Sequence, residues 1–342
     1  MLDRSVRIDT LRGLACILLV AYHVVGISPT TGLRLDDSHP VRIVNDAIAY
    51  LRMPLFSFLS GYVYASRPYR NDPASFIKGK ARRLLVPMLI VGTLLAILQA
   101  VTPGTNAKAL DWSMLHIVPV AHFWFLESLF LIYVGIVALE HFGALRTERR
   151  FAVVLFAAAC VHLARPFPVY FGLQGAAYLL PFTLLGIWCN RFGDGRSVKG
   201  QLALGLTAVL TATLYVALFA PAMPSTSSVT ALAMGGGACI TLLRLRPKAQ
   251  WSAWIGVHSF AIYLFHSMFT AASRIFLTKA GVAYLPTLIG IGIVAGVFLP
   301  IATERVLRRF PGLGRLVLGE SKGRGNPAGA ARPSPSAGEA SS

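Results

Sequence analysis

Residues 7–23 read RIDTLRGLACILLVAYH, in which Arg7, Asp9 and Arg12 give way to ten uncharged residues and then to a histidine. The apolar run continues through Val24 and Val25, and it predicts one membrane-crossing helix over about 11–28. Arg12 and His23 are eleven residues apart, about 16 Å and close to three full turns, so both face the same way. An ionisable side chain inside a transmembrane segment costs roughly 2.5–3.5 kcal/mol on insertion scales and needs a reason. Arg12, near the membrane surface, can snorkel its guanidinium to water. His23 lies deeper. The bland account of it is a ring satisfied by a backbone carbonyl; the sharper one is an imidazole, neutral at rest, that accepts a proton from a hydroxyl or carries an acyl group itself. On that reading Arg12 holds an anionic donor and His23 does the chemistry.

The rest of the chain extends the pattern of this first helix. Of 342 residues, 55% are hydrophobic and only 13% charged, against about 25% charged in a soluble domain. Further apolar stretches are expected at 43–65, 84–102, 119–139, 151–165, 168–189, 200–220, 229–245, 253–277 and 283–304. They predict an all-α, polytopic transmembrane bundle of about ten helices. The fifth is short and stops at Arg165-Pro166, which suggests tilting or a break. With the N-terminus in the cytoplasm, 25 of the 32 Lys and Arg fall in the N-terminal segment, the even-numbered connections and the C-terminal tail. That asymmetry is the positive-inside signature, and it predicts both termini in the cytoplasm of a multi-pass inner (plasma) membrane protein. A formal charge of +18 is thereby explained without nucleic acid as a partner. Residues 1–310 read as one membrane domain, and 311–342, rich in Gly, Ala, Ser and Pro after about Gly319, as a disordered cytoplasmic tail. The basic N-terminus precedes an apolar run without an Ala-x-Ala-like exit, so the first helix is expected to remain as an anchor. Cys16, Cys160, Cys189 and Cys239 sit in apolar stretches with no CxxC or ligand spacing; they read as small packing residues, and no metal site is expected.

Other polar residues stand out against this background. Arg67, Arg70, Lys78, Lys80, Arg82 and Arg83 gather in the second connection. The run KGKARR (78–83) places several cations at the cytoplasmic mouth, as topology signals, as ligands for phosphate, or both. HFWFLE (122–127) opens the fourth helix on the far side. Trp124 there reads as an interfacial belt residue, and Glu127, about a turn inside, as lining a polar cavity with His122. His266 closes IYLFH (262–266) inside another apolar helix, and Asp9 is spaced to pair with Arg12. His39, His116, His141 and His258 read as loop or interface residues.

In order, RIDTLRGLACILLVAYH, MPLFSFLSGYVYA (53–65), FIKGKARRLLVP (76–87), HFWFLESLFLIY (122–133) and SFAIYLFH (259–266) resemble the acyltransferase-3 family over residues 7–310. These are integral-membrane O-acyltransferases that modify lipopolysaccharide, capsule, exopolysaccharide and osmoregulated glucans. The resemblance implies acyl-CoA, usually acetyl-CoA, as co-substrate with no cofactor held. It implies a sugar hydroxyl of a surface or exported polysaccharide, or of a lipid-linked sugar, as acceptor. Membrane lipid and polysaccharide-assembly proteins would be its partners. By the same resemblance Arg12 with Lys80, Arg82 and Arg83 would grip the CoA phosphates, and His23 would be the base or transient acyl carrier. Ser60 and Gly61 would allow close helix approach. Two departures stand out. Arg52 occupies a position where many members with the MPLF pattern carry His, which favours anion binding or anchoring over a proton relay. Glu127 falls where others carry an apolar or small residue. The competing class is an exporter of polysaccharide or lipid-linked sugar, in which intramembrane His and Arg would line the pathway. No repeated half is visible in the sequence.

Overall fold

The computed structural model describes residues 2–69, 72–103, 111–193, 195–219 and 223–321, and among them the fold is all helical, with no β-strand. The elements are α1 (Leu2–Val25), α2 (Pro40–Ala47), α3 (Ala49–Ser66), α4 (Pro73–Val101), α5 (Trp124–His141), α6 (Glu148–Ala164) and α7 (Leu173–Arg191). They continue with α8 (Val198–Phe219), α9 (Val229–Leu245), α10 (Gln250–Val257), α11 (Ser259–Lys279), α12 (Leu285–Arg309) and α13 (Pro311–Leu318). Every stretch expected to cross the membrane falls on helix. Among the described residues, seven helices are long and apolar enough to do so; α3, α6 and α9 are shorter or more polar.

Several expected boundaries move. The second and ninth stretches are each broken, at Ile48 between α2 and α3 and at His258 between α10 and α11. The first helix ends at Val25, where Gly26 takes a positive φ of 102°. The fifth stretch is not broken: α6 runs continuously to Ala164 and stops where Arg165 adopts a left-handed conformation ahead of Pro166. The basic run 78–83 is not a loop, because α4 begins at Pro73, capped by the Asp72 side chain on the Ser75 amide. The tail expected from residue 311 begins instead with α13, and the turn after it lies against α4, since a Cβ on Gly319 would sit 2.6 Å from the Arg82 carbonyl oxygen. Residues 322–342, Arg70 and Lys108 lie outside the described residues.

Small residues set the closest helix contacts, as expected where lipid removes the hydrophobic drive between helices. On α3 and α7, a Cβ on Gly61 would lie 2.0 Å from the Thr183 carbonyl oxygen, and one on Gly186 would lie 2.0 Å from that of Phe58. Ser57 Oγ and Thr183 Oγ1 share a hydrogen bond of 2.6 Å across the same seam. By contrast α8 presents Leu204, Leu210, Leu214 and Leu218 outward, a lipid-facing pattern. Cys16, Cys189 and Cys239 are buried, whereas Cys160 is exposed on α6 and so is not a packing residue.

Several helix ends that carry Lys or Arg meet in ion pairs and hydrogen bonds at one end of the bundle, whereas Lys279 in the last turn of α11 and Arg165 after α6 lie at the other. Arg191 near the end of α7 pairs with Glu140 near the end of α5, and Arg196 pairs with Glu148 at the start of α6. Arg244 on α9 donates to Gln201 on α8 at 2.9 Å, and His258 Nδ1 lies 2.6 Å from Glu304 of α12.

Candidate active site

The position of α1 is set by backbone-to-backbone contact with α10. A Cβ on Gly13 would lie 1.9 Å from the Ser252 carbonyl oxygen, one on Gly256 would lie 1.9 Å from that of Asp9, and Ser252 Oγ donates to the Thr10 carbonyl at 2.8 Å. This seam leaves the last turn of α1, with Tyr22 and His23, at the opposite end from the basic residues. There His23 meets two histidines from other elements. His122 comes from the 3-10 turn Ala121–Phe123 that opens α5, and His266 from α11. Ring centroids are 4.8 Å apart for His23 and His266, 4.6 Å for His122 and His266, and 5.7 Å for His23 and His122.

Two of these rings are held in known orientation. His266 Nδ1 lies 2.9 Å from the carbonyl oxygens of both Ile262 and Tyr263. A carbonyl only accepts, so Nδ1 carries the proton and, in the neutral ring, Nε2 keeps its lone pair. His122 Nε2 lies 3.0 Å from the Tyr263 carbonyl, which by the same reasoning leaves its Nδ1 as the acceptor. Both remaining nitrogens are buried without a hydrogen-bond partner among the described residues. Tyr263 closes the arrangement by donating its hydroxyl to the His122 carbonyl. One tyrosine thus fixes two imidazoles, and both rings pack against the third. Among the described residues no group of three or more His, Cys, Asp or Glu is arranged to hold a metal ion.

His23, His122 and Tyr263 line a cavity of about 1040 Å³ that runs past Gln99 and Thr102 at the end of α4 to Asp111. It therefore approaches the histidines from the end away from the basic residues. On its rim Asp111 accepts from the Ser113 hydroxyl (2.6 Å) and amide (3.0 Å), which hold its carboxyl below the usual range. Arg52 of α3 also lines the cavity, only 3% exposed, with its guanidinium carbon 3.4 Å from the Tyr22 ring centroid. Trp124 lines it as well, packed against Tyr178 with ring centroids 6.4 Å apart.

The expected donor residues are not gathered in the same way. Arg12 pairs with Asp9 at 3.1 Å and does not line the cavity. Lys80 Nζ sits 3.7 Å from the ring centroid of Tyr133, whose hydroxyl donates to the Ser60 carbonyl at 3.4 Å. Ser60 Oγ itself bonds back to Phe56 at 2.8 Å, so Gly61 and not Ser60 makes the close helix approach. Arg82 points elsewhere, into a separate hollow with Arg315 and Glu320, while Arg83 lies over the Phe260 ring at 5.2 Å. A helix turns 100° per residue, so Lys80 and Arg82 fall on nearly opposite sides of α4, and the three cations do not form one cluster. Glu127 is buried with neither carboxyl oxygen bonded, against Gly172, and is not part of the cavity wall shared by His122.

Tyr22, Tyr133 and Tyr263 were not singled out by sequence reasoning. Their signal was position: Tyr22 adjoins His23, and Tyr263 stands three residues, close to one turn, before His266. Compared with known proteins, residues 5–305 match a family model described as an acyltransferase domain. No curated protein and no solved structure matches the chain.

Proposed function

The chain belongs to the acyltransferase-3 family, and from that premise we propose that it is a membrane O-acyltransferase, moving an acetyl group from cytoplasmic acetyl-CoA to a sugar hydroxyl of a surface or exported polysaccharide or its lipid-linked precursor. The observation that carries this reading is His23 at the inner end of a large cavity, bordered by two imidazoles whose free nitrogens can only accept in their neutral forms. An N–H of His23 directed at either acceptor leaves the other His23 nitrogen with a lone pair, the form a general base requires. The acceptor glycan enters the cavity from its open end. The donor approaches from the basic end, which on this reading faces the cytoplasm of the inner membrane, with Arg12 and Lys80 nearest its phosphates.

In the reaction the acceptor oxygen attacks the thioester carbon. The C–O bond forms, the C–S bond breaks, and the hydroxyl proton passes to His23 and from there to the departing sulfur, giving the ester and free CoA thiol. No cofactor is required by this sequence. The test uses membranes containing the intact chain or His23→Ala, incubated with radiolabelled acetyl-CoA and the host's polysaccharide. Label is expected in the glycan only with the intact chain, and a general base contributes roughly 10²–10⁴ in rate. Equal labelling by both forms would remove His23 from the mechanism, and no labelling by either, with succinyl-CoA also inactive, would favour an exporter.

A further inference from the structure

Arg52 presents an unsolved electrostatic problem in the cavity wall. Its side chain is 3% exposed, and its Nε and Nη1 have no hydrogen-bond partner among the described residues. Asp46, on the adjoining α2, is engaged by Arg42 Nε at 2.8 Å. Tyr22 offers the guanidinium a cation–π contact, with its ring centroid 3.4 Å away, and a side-chain hydrogen bond, but no carboxylate. Around it the cavity is lined largely by apolar groups such as Leu19, Val24, Leu95 and Leu115. Burying an uncompensated cation in such surroundings is costly, and the cost is relieved when an anion binds.

We propose that Arg52 is the recognition point for a carboxylate carried by one of the two substrates, either at the end of the acyl group or on the acceptor sugar. The proposal rests on the acyl-transfer reading and deepens it. The Tyr22 ring contacts Arg52, and its centroid lies 5.2 Å from that of His23, so the cation lies close to the reacting centre. A carboxylate a few bonds from the reacting carbonyl or hydroxyl reaches Arg52 while the reaction occurs at His23. The planar fork of the guanidinium matches carboxylate geometry. Arg274 also lines the cavity, on α11, and has contacts of its own.

Two measurements on the purified full chain in detergent test this. In the first, CoA release is followed with acetyl-CoA and succinyl-CoA as donors, and with a glucoside and the matching glucuronide as acceptors. The intact chain should favour one carboxylate-bearing substrate in kcat/KM by roughly ten- to a hundredfold, the size expected of a hydrogen bond to a charged group. Preference in the donor pair places the carboxylate on the acyl group, and preference in the acceptor pair places it on the sugar. Arg52→Gln should bring that ratio close to one, and Arg52→Lys, which keeps the charge without the fork, should leave part of it. In the second, succinate, glucuronate and glucose are titrated against thermal unfolding; one of the two carboxylates should stabilise the intact chain, glucose should not, and Arg52→Gln should lose the response. If no donor releases CoA, the acyl-transfer reading fails and stabilisation alone decides Arg52. If CoA is released with no carboxylate preference and no carboxylate stabilises the chain, the Arg52 proposal is overturned while the enzyme reading stands. Should Arg52→Gln fail to fold, Arg52→Lys is read in its place.

Discussion

At the scale of single residues, a histidine within an apolar helix could be read in the sequence as chemistry, but its partners could not. His23 was legible because nothing else in RIDTLRGLACILLVAYH explains a polar ring beyond ten uncharged residues. That His122 and His266 belong with it was not, since the three lie far apart in the chain and only the meeting of α1, α5 and α11 brings their rings within 6 Å. On the proposed reading His266 has a positioning role, with one nitrogen fixed by the Ile262 and Tyr263 carbonyls and its ring centroid 4.8 Å from that of His23. His266→Asn should therefore lower kcat by roughly fivefold or more, since it removes the acceptor toward which a His23 N–H would turn on the proposed reading, a bond worth about 1 kcal/mol when neutral and more when charged. KM for acyl-CoA should hold. A rise in KM with kcat unchanged would place His266 in donor binding instead.

At the scale of elements, hydropathy placed a helix under every expected stretch but missed the joints between helices. Ile48 and His258 interrupt stretches that read as continuous because neither break carries a Gly or Pro to mark it, although Asn45 and Asp46 just before Ile48 were a polar signal. The basic run 78–83 was read as a loop on charge alone, although Asp72 and Pro73 ahead of it are a helix start signal, and its helical phase separates Lys80 from Arg82. The α3–α7 seam was partly legible: the Ser-Gly pair in MPLFSFLSGYVYA marks the approach from α3, and Gly186 supplies the matching approach from α7. A leucine there has nowhere to go, because even its Cβ would lie 2.0 Å from the Phe58 backbone. Gly186→Leu should destabilise the fold by at least about 1–3 kcal/mol, the range for overpacking, and lower the midpoint of thermal unfolding in detergent. Gly200, where an added Cβ meets nothing closer than 3.6 Å, is the matched control, and Gly200→Ala should leave the midpoint nearly unchanged. An equal fall in both would mean that general helix tolerance, and not this contact, sets stability.

At the scale of the whole molecule, the two ends of the bundle differ in a way that a transferase working across a membrane requires. One end holds the ion pairs Arg191–Glu140 and Arg196–Glu148; the other opens the cavity that His23 lines. The charged nucleotide of acyl-CoA cannot cross lipid unaided, so on the proposed reading, with the basic end in the cytoplasm and the glycan outside, donor and acceptor reach His23 from opposite ends. That orientation is testable without any activity. Thr30, exposed in the loop after α1, and Ala74, exposed in the first turn of α4, lie at opposite ends. In a Cys160→Ser background, which removes the exposed native thiol, Thr30→Cys should react with a membrane-impermeant maleimide in intact spheroplasts. Ala74→Cys should react only after permeabilisation. The reverse pattern would place the cavity mouth on the cytoplasmic side, and the glycan would then have to be acylated before export, on the same side as acyl-CoA.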